Sequence, residues 1–240
     1  MEFSNITKQA RKLLKLKYCG AVIVAAGTAS RMGGIDKVMA PLHGEPMIVH
    51  SVRTFQQCDA IKEVIVVTRT DLVVPIMDLC HEFDKVRAVI VGGATRPESV
   101  AIGLNALSDK VKLAAIHDGA RPLITWNVVD RAVRAANSYG AAAPGVPVKD
   151  TVKTVVGGIV QDTPDRSLLQ AIQTPQVFDV DLLRAALEKA VKDKAQITDD
   201  CSAVERLGMS VRIVEGDERN IKVTTPLDLK LAELILEGMQ

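Results

Sequence analysis

The chain lacks the features that mark several common classes of protein. Its 30 Lys and Arg residues nearly balance 29 Asp and Glu residues, for a net charge of +1 over 240 residues. A nucleic-acid binder would usually show a strong basic excess. No apolar run approaches the roughly 18 residues of a membrane span, and the basic residues 1–19 lack the apolar centre of a signal peptide. We therefore expect a cytoplasmic protein that binds neither nucleic acid nor membranes.

Cysteine spacing excludes another group of functions. None of the four cysteines belongs to a CxxC pair or to a Cys/His metal motif: Cys19, Cys58, Cys80 and Cys201. Scattered cysteines of this kind indicate reduced, packed thiols rather than a zinc site or a disulfide framework.

Both of the commonest nucleotide motifs are also missing, although a different one is present. An apolar run at residues 21–26 predicts a buried strand, which breaks at Gly27 into a loop of small residues carrying Arg31 and Lys37. No GK[ST] follows, and the glycines do not form G-x-G-x-x-G. Small residues let backbone N–H groups approach an anion, and the two cations would neutralise it. The sequence thus favours a phosphate-binding loop, with a plain strand and turn as the alternative.

Strand and helix patterns alternate over the first 140 residues. Short apolar runs predict strands at residues 21–26, 64–67, 88–91 and 113–116. Helical patterns lie between and after them, at residues 47–55, 72–83, 97–107 and 128–139. This alternation predicts one α/β domain with a Rossmann-like, mostly parallel sheet and helices on both faces. Ligands bind such sheets at the carboxyl ends of the strands, where Gly27, Gly92 and Asp118 should gather.

The pattern changes after Gly140. Residues 146–167 alternate apolar and polar side chains around Gly157 and Gly158, which predicts a projecting two-stranded β-arm. A two-stranded arm is marginal alone and tends to be buried against a partner, so we expect a homodimer. Two helices, a strand and a final helix should follow, at residues 180–192, 200–207, 211–215 and 226–237. At the other end, residues 1–19 should form a short amphipathic extension docked on the body, with Leu13, Leu14 and Leu16 on one side.

Polar clusters follow several of the predicted strands. Asp118, in the stretch HDGARP, is placed to hold Mg²⁺, which takes few protein carboxylates and completes its shell with phosphate oxygens and water. Capping of the next helix is the alternative role for Asp118. Gly92 and Gly93 would let a base or ribose approach the backbone near Ser99, unless they form an ordinary strand–helix turn.

Taken in order, these clusters resemble one family closely. The motifs are AAG…RM…K, GG…R…S, HDGARP, KDTVK, TPQ, TDD.SA and NIKVT, and they run from about Gly20 to the C-terminus. Together they are similar to the cytidylyltransferases that act on methylerythritol phosphate in the non-mevalonate isoprenoid pathway. The resemblance implies that CTP and 2-C-methyl-D-erythritol 4-phosphate react to a CDP-linked product and pyrophosphate, with Mg²⁺ as cofactor.

The resemblance also implies residue roles. Arg31 and Lys37 would grip the triphosphate and stabilise the transition state, Lys222 would neutralise the α-phosphate, and Asp118 would hold the metal. The nucleotide would contact Ala25, Ala26, Gly27, Gly92, Gly93 and Ser99. The methylerythritol phosphate would contact Arg121, Thr151, Thr174, Thr198 and the partner's Arg166.

The chain departs from the family pattern at three positions. Asp36 precedes Lys37 where the family usually has proline, and Ala29 and Ala94 replace a glycine and an acidic residue. Asp36 would either weaken phosphate binding or lie at the rim with little effect. Two other functions stay open: a ribitol-5-phosphate cytidylyltransferase, and a nonenzymatic nucleotide-binding protein of the same fold. A nicotinamide-dependent dehydrogenase is disfavoured by the missing G-x-G-x-x-G.

Overall fold

The computed structural model describes residues 16–27 and 36–238. The strands are β1 (Cys19–Val24), β2 (Pro41–Leu42), β3 (Glu45–Pro46), β4 (Ile61–Thr68), β5 (Val86–Val91), β6 (Leu113–Asp118), β7 (Ala141–Pro147), β8 (Thr154–Val156), β9 (Ile159–Asp162), β10 (Gln170–Ile172), β11 (Gln176–Asp179) and β12 (Arg212–Glu215). The α-helices are α1 (Met47–Gln57), α2 (Val73–Leu79), α3 (Arg96–Ala106), α4 (Trp126–Tyr139), α5 (Val180–Lys192), α6 (Asp200–Glu205) and α7 (Pro226–Glu237).

The central sheet is mostly parallel, as the sequence predicts. Its path is β10-β7-β11-β6-β1-β4-β5, with β12 added beside β7. Strands β6, β1, β4 and β5 are mutually parallel. The chain proceeds outward from β1 to β4 and β5 and then returns to place β6 on the other side of β1. The crevice at the carboxyl ends of β1 and β6 is therefore the topological switch point, where open α/β sheets bind ligands.

The other half of the sheet contains strands that the sequence analysis did not predict. Strand β11 runs antiparallel to both β6 and β7, and β10 pairs antiparallel with β7. The polar residues before β11 give no strand signal, and within β11 only Val177 and Phe178 are apolar, a run too short to stand out.

Helices cover both faces of the sheet and bury two separate cores. On one face α1, α2 and α4 pack through residues such as Phe55, Ile76 and Val129. On the other face α3, α5 and α6 pack through residues such as Leu104 and Leu183. Burying an aliphatic or aromatic side chain of this size contributes about 1.5–3 kcal/mol, so these two cores hold the strand ends in place.

Two helices have the predicted bounds at both ends. Helix α5 begins where the Asp179 side chain accepts the Asp181 N–H. Helix α7 also has the predicted bounds, with a capping box between Thr225 and Asp228 and a proline in its first turn. Helix α2 is shorter than predicted: a 3₁₀ turn occupies Thr70–Leu72, and the helix ends at Leu79.

The predicted hairpin is present, with different limits. Strands β8 and β9 pair antiparallel across Gly157 and Gly158, whose φ angles of 57° and 81° favour glycine and suit a tight hairpin turn. Every residue of both strands is exposed. The predicted start at residue 146 is wrong, because β7 continues in the central sheet to Pro147 and pairs there with β10. The use of this hairpin as a dimer arm stays a prediction.

Three further expectations concern the rest of the chain. Leu13 and Leu14 of the predicted N-terminal helix lie outside the described residues, whereas Leu16 packs against the α1/α4 core. All four cysteines are free and buried, as expected. Within residues 16–27 and 36–238, no helix combines the length and apolar character that crossing a bilayer requires.

Candidate active site

A cavity of about 280 Å³ opens at the switch point between β1 and β6. It collects eight of the residues singled out from the sequence: Ala25, Ala26, Gly27, Lys37, Gly93, Ser99, Asp118 and Lys222. They come from the end of β1, the end of β6, the loop before α3, and the segments around residues 37 and 222. The parallel topology is what brings these distant segments to one edge of the sheet.

Asp118 is the electrostatic centre of the cavity. Its Oδ2 lies 2.8 Å from Lys222 Nζ and 3.9 Å from Arg121 Nε, and its Oδ1 lies 3.3 Å from Arg96 Nε. Burial alone would raise the pKa of Asp118, but attraction to Arg96, Lys222 and Arg121 outweighs it and holds the pKa well below its usual range. Asp118 is therefore a permanent anion that collects cations around the cavity.

Arg96 is a site residue that sequence reasoning missed. Its Nη2 lies 2.8 Å from Oδ2 of Asp200, which is fully buried, so Arg96 bridges two carboxylates. Burial lowers the pKa of Arg96, yet attraction to Asp200 and Asp118 more than compensates, and the net shift is upward. One signal for Arg96 was available in the sequence. This arginine lies directly between the Gly92–Gly93 loop and a first-turn proline, and a side chain at that position faces the same edge of the sheet as the loop.

A buried hydrogen-bond relay fixes the backbone behind Asp118. Thr174 Oγ1 accepts the Asp118 N–H at 3.1 Å and lies 3.0 Å from His117 Nδ1, while His117 Nε2 lies 3.2 Å from the Arg121 carbonyl. These partners assign a neutral imidazole, in which Nε2–H donates to the carbonyl and Nδ1 accepts the threonine hydroxyl. Burial lowers the pKa of His117 to about 4. The Thr174 hydroxyl, only 4% exposed as a residue, is thus engaged inside the protein.

The loop before α3 depends on a glycine for its close approach to β1. A Cβ at Gly92 would lie 2.7 Å from both Ala26 Cβ and Ser99 Oγ, closer than real Cβ contacts. Ser99 Oγ accepts the Gly93 N–H at 3.1 Å and donates to the Thr95 carbonyl at 3.0 Å. Gly92 therefore lies behind the cavity wall, and Ser99 holds the loop that forms it.

Asp36, which precedes Lys37, is engaged in contacts within the protein. Asp36 Oδ2 lies 2.5 Å from Arg69 Nη2, and Asp36 Oδ1 accepts the Val38 N–H at 3.1 Å. Hydrogen bonds that Arg69 donates to Asp71 and to Asp36 raise the pKa of Arg69. Asp36 is thus neutralised by Arg69, while Lys37 lines the cavity. Arg31, expected to act beside Lys37, lies outside the described residues.

None of the five predicted acceptor contacts lines the cavity: Arg121, Thr151, Arg166, Thr174 and Thr198. Thr151, Arg166 and Thr198 are all exposed. Arg166 Nη1 donates to the Lys149 carbonyl at 2.5 Å and lines a different cleft at the base of the hairpin. Arg121 is also absent from the lining; burial lowers its pKa, and its Nη1 donates to the Asn220 carbonyl at 2.7 Å.

Comparisons with known proteins place the chain in a family. The sequence profile described as IspD, 2-C-methyl-D-erythritol 4-phosphate cytidylyltransferase, matches residues 19–238. A protein of that name from Caldanaerobacter subterraneus subsp. tengcongensis is 44% identical over 225 residues, covering 90% of this chain and 97% of the relative. Another from Symbiobacterium thermophilum is 43% identical over 218 residues, covering 90% of this chain and 92% of the relative.

Solved structures give the same result for the fold. The 4-diphosphocytidyl-2C-methyl-D-erythritol synthase of Anaerococcus prevotii superimposes with a TM-score of 0.85 at 30% identity, covering 93% of this chain and all (100%) of that one. The 2-C-methyl-D-erythritol 4-phosphate cytidylyltransferase of Thermus thermophilus has a TM-score of 0.76 at 31% identity, over 90% and 98% of the two chains. Because sequence and fold match over nearly the whole length, the chain belongs to the 2-C-methyl-D-erythritol 4-phosphate cytidylyltransferase family of nucleotidyltransferases.

Proposed function

We propose that the cavity between β1 and β6 is where this enzyme transfers CMP from CTP to 2-C-methyl-D-erythritol 4-phosphate. A phosphate oxygen of the acceptor attacks the α-phosphorus in line, a new P–O bond forms, and the bond to the pyrophosphate oxygen breaks. Little proton transfer is needed, so the protein contributes mainly positioning and neutralisation of negative charge. The observation that carries this proposal is the cluster of Lys222, Arg96 and Arg121 around the single carboxylate of Asp118 at the strand ends.

Lys222 and Lys37 are assigned as the residues that neutralise the reacting phosphates. Lys222 is 42% exposed at its side chain and is ion-paired with Asp118, so it can exchange that carboxylate for a nearby phosphate oxygen. Lys37 lines the cavity on the β1 side. Arg96 is a third cation that would face the triphosphate. Arg31 is given the same neutralising role by resemblance to the family. Fixed cations of this kind stabilise charge that develops on the nonbridging oxygens.

Magnesium fits the donor set if the nucleotide is bound. Among the residues that the structure describes, no three His, Cys, Asp or Glu side chains are grouped to hold a metal by themselves. Asp118, however, lines the cavity as an ionised carboxylate, and Mg²⁺ commonly takes one or two carboxylates together with substrate phosphates and water. Asp118 would hold the ion, which would supply further neutralisation of the triphosphate.

The nucleotide pocket follows from the loop geometry. Ala25, Ala26 and Gly27 line the cavity just past the end of β1, and Gly93 lines it just past the end of β5. Gly92 and Ser99 belong to the same subsite, because they shape that loop from behind. The cytosine and ribose would lie against this wall, with the phosphates directed toward Lys37 and Lys222.

The acceptor site is completed by a second copy of the chain. None of the five predicted acceptor contacts lines the cavity of the single chain: Arg121 and Thr174 lie behind it beside Asp118, and Thr151, Thr198 and Arg166 are exposed elsewhere. The fully exposed hairpin strands carry apolar side chains, including Val156 and Ile159 at 65% and 68% exposure. Exposed apolar residues on a two-stranded hairpin favour burial against a partner. We therefore propose a homodimer in which the partner's Arg166 reaches the active site.

The compartment is proposed to be the cytoplasm. The four cysteines are free thiols, and all are buried. Thiols without disulfides are usual where glutathione and thioredoxin keep proteins reduced.

Pyrophosphate release tests the proposed substrates. The wild-type protein is offered CTP, ATP, GTP or UTP with either 2-C-methyl-D-erythritol 4-phosphate or ribitol 5-phosphate. We expect release only with CTP and methylerythritol phosphate, and only with Mg²⁺ present. Preference for ribitol 5-phosphate would assign the chain to that reaction, and no release with any pair would refute enzymatic transfer.

A further inference from the structure

Asn220 is a fully buried residue two positions before Lys222, in the loop between β12 and α7. Its Nδ2 donates to the Thr174 carbonyl at 3.0 Å and to Gln173 Oε1 at 3.3 Å. Its own carbonyl accepts Arg121 Nη1 at 2.7 Å. Asn220 therefore touches two of the residues that surround Asp118, although it does not line the cavity.

Gln173 ties the start of the same loop to the sheet. Its Nε2 donates to the Asp217 carbonyl at 2.8 Å, and its Oε1 accepts the Asp217 N–H at 3.2 Å. Past the lysine, the Val223 N–H donates to the Ala120 carbonyl at 2.8 Å. The backbone of Lys222 is thus held between two fixed points, while its side chain stays half-exposed.

The side chain at position 220 has to be an amide for this arrangement. Both partners of Nδ2 are acceptors, so a carboxylate of the same shape would face two oxygens without a proton to share. Thr174 in turn holds the Asp118 N–H through its hydroxyl. A change at Asn220 would consequently reach both the Lys222 segment and the Asp118 backbone.

We propose that Asn220 is a positioning residue for the transfer reaction, setting the backbone from which Lys222 reaches the phosphates and orienting Arg121 at the same time. The proposal rests on the phosphate-binding role proposed for Lys222. It concerns placement rather than contact with the substrate, because Asn220 is 0% exposed. A misplacement of about 1 Å at a reacting centre lowers turnover by about 100-fold.

The test compares Asn220→Asp with wild type in kcat and KM across pH. Near pH 8 we expect kcat to fall by about 100-fold while the KM for CTP changes by less than about threefold, because the lost interaction acts on the transition state. Burial and the two facing oxygens raise the pKa of the new carboxyl, and its protonated form regains a donor for Thr174. The ratio of variant to wild-type kcat should therefore rise as the pH is lowered toward about 6.

Glu63→Gln is the matched control for a merely structural effect. Glu63 is also buried, and it accepts the Ser108 N–H and hydroxyl at 2.7 Å each, far from the cavity at the amino end of β4. Urea unfolding of both variants shows how much stability each change costs. We expect Glu63→Gln to keep wild-type kcat at every pH, whatever stability it loses. An Asn220→Asp protein with wild-type kcat, or with a kcat ratio that does not vary with pH, overturns the proposal.

Gln173→Ala keeps the proposal testable if Asn220→Asp does not fold. It removes one acceptor of the Asn220 amide and both hydrogen bonds to the Asp217 backbone. We therefore expect kcat to fall by about 10-fold with little change in the KM for CTP. A folded Gln173→Ala protein with wild-type kcat overturns the proposal as well. Lys222→Ala distinguishes failure of the phosphate-binding role from failure of the positioning role. An unchanged kcat in Lys222→Ala refutes the role of Lys222. A kcat that is lost in Lys222→Ala but normal in Asn220→Asp refutes only the positioning role of Asn220.

Discussion

The cavity and the hairpin of this enzyme are built in opposite ways. Around Asp118, the cations Arg96 and Lys222 come from distant parts of the chain, and the backbone is fixed by the buried Thr174–His117 relay. In the β8–β9 hairpin every strand residue is exposed, and the two strands form a separate sheet. The contrast teaches that one chain organises the cavity, the proposed phosphate end of the site, by itself. The acceptor end, which includes Arg166, depends on a second copy under the proposed homodimer.

Removing a cavity lysine should have the largest effect. Lys222→Ala and Lys37→Ala should each lower kcat by about 1,000-fold, because each removes a fixed cation from the charge that develops on the phosphates. Pyrophosphate release measures kcat, and circular dichroism checks the fold. Lys189→Ala is the matched control: Lys189 is similarly exposed (47%) and is paired with Asp193 at 3.0 Å on α5. Turnover that stays normal in both cavity variants would refute the assigned roles.

Arg96 should show that the cavity is also a structural centre. Arg96→Ala leaves the buried carboxylate of Asp200, whose pKa burial already raises, without its cation. Breaking a buried pair from one side should lower the free energy of unfolding by about 3 kcal/mol. The exposed pair of Arg134 with Asp130 at 2.6 Å is the control, and Arg134→Ala should cost less than about 1 kcal/mol. Equal losses in urea unfolding would contradict the account of Arg96.

The relay behind Asp118 should appear in the pH dependence of stability. The pKa of His117 is about 4 in the folded protein and about 6.5 when unfolded. The unfolded state therefore binds more protons between these values, and stability that is fully present above pH 6.5 is lost as the pH falls toward 4. The loss amounts to about 3 kcal/mol.

Urea unfolding at pH values from about 7 to 4 measures this contribution. His117→Gln has a neutral side chain throughout and should be less stable at pH 7, with a shallower decline toward acid. An equally steep decline in wild type and His117→Gln would show that His117 is not buried in its neutral form.

Mixed dimers test whether Arg166 acts in the partner's active site. The recovered activity is the smallest of the expected effects. Arg166→Ala and Lys37→Ala should each be inactive alone. In a dimer that combines them, one of the two sites would keep both residues, so random exchange should restore about a quarter of wild-type activity. Mixing Arg166→Ala with Lys222→Ala should give the same recovery, since both lysines act within one subunit. No recovery in subunits shown to exchange would contradict a shared site.

The fold could be predicted where its signals are local. Unbroken apolar runs located the four parallel strands, and the helical patterns at residues 180–192 and 226–237 gave the bounds of α5 and α7. Local sequence patterns did not locate strands that are defined mainly by pairing with other strands. Strands β2 and β3 have only two residues each, and β11 is defined by its partners β6 and β7.

The candidate site, like the fold, could be predicted only where a residue lies next to a recognisable element or motif. Gly27 and Asp118 were singled out because each follows a recognisable strand, Lys222 was singled out by resemblance to the family motif, and the topology brings all three to one cavity. Arg96 was missed because its partners Asp118 and Asp200 are 22 and 104 positions away. The internal use of the Thr174 hydroxyl was equally hidden, since nothing local to residue 174 indicates His117 as its neighbour.

A crystal structure with CTP and Mg²⁺ bound tests the central claim most directly. That claim is that Asp118 assembles cations at the ends of β1 and β6 to receive a triphosphate. We expect phosphate oxygens within hydrogen-bond distance of Lys37, Arg96 and Lys222, with the metal on Asp118 and the base against the Gly93 loop. A triphosphate bound elsewhere, with the Lys222–Asp118 pair unchanged, would contradict the account.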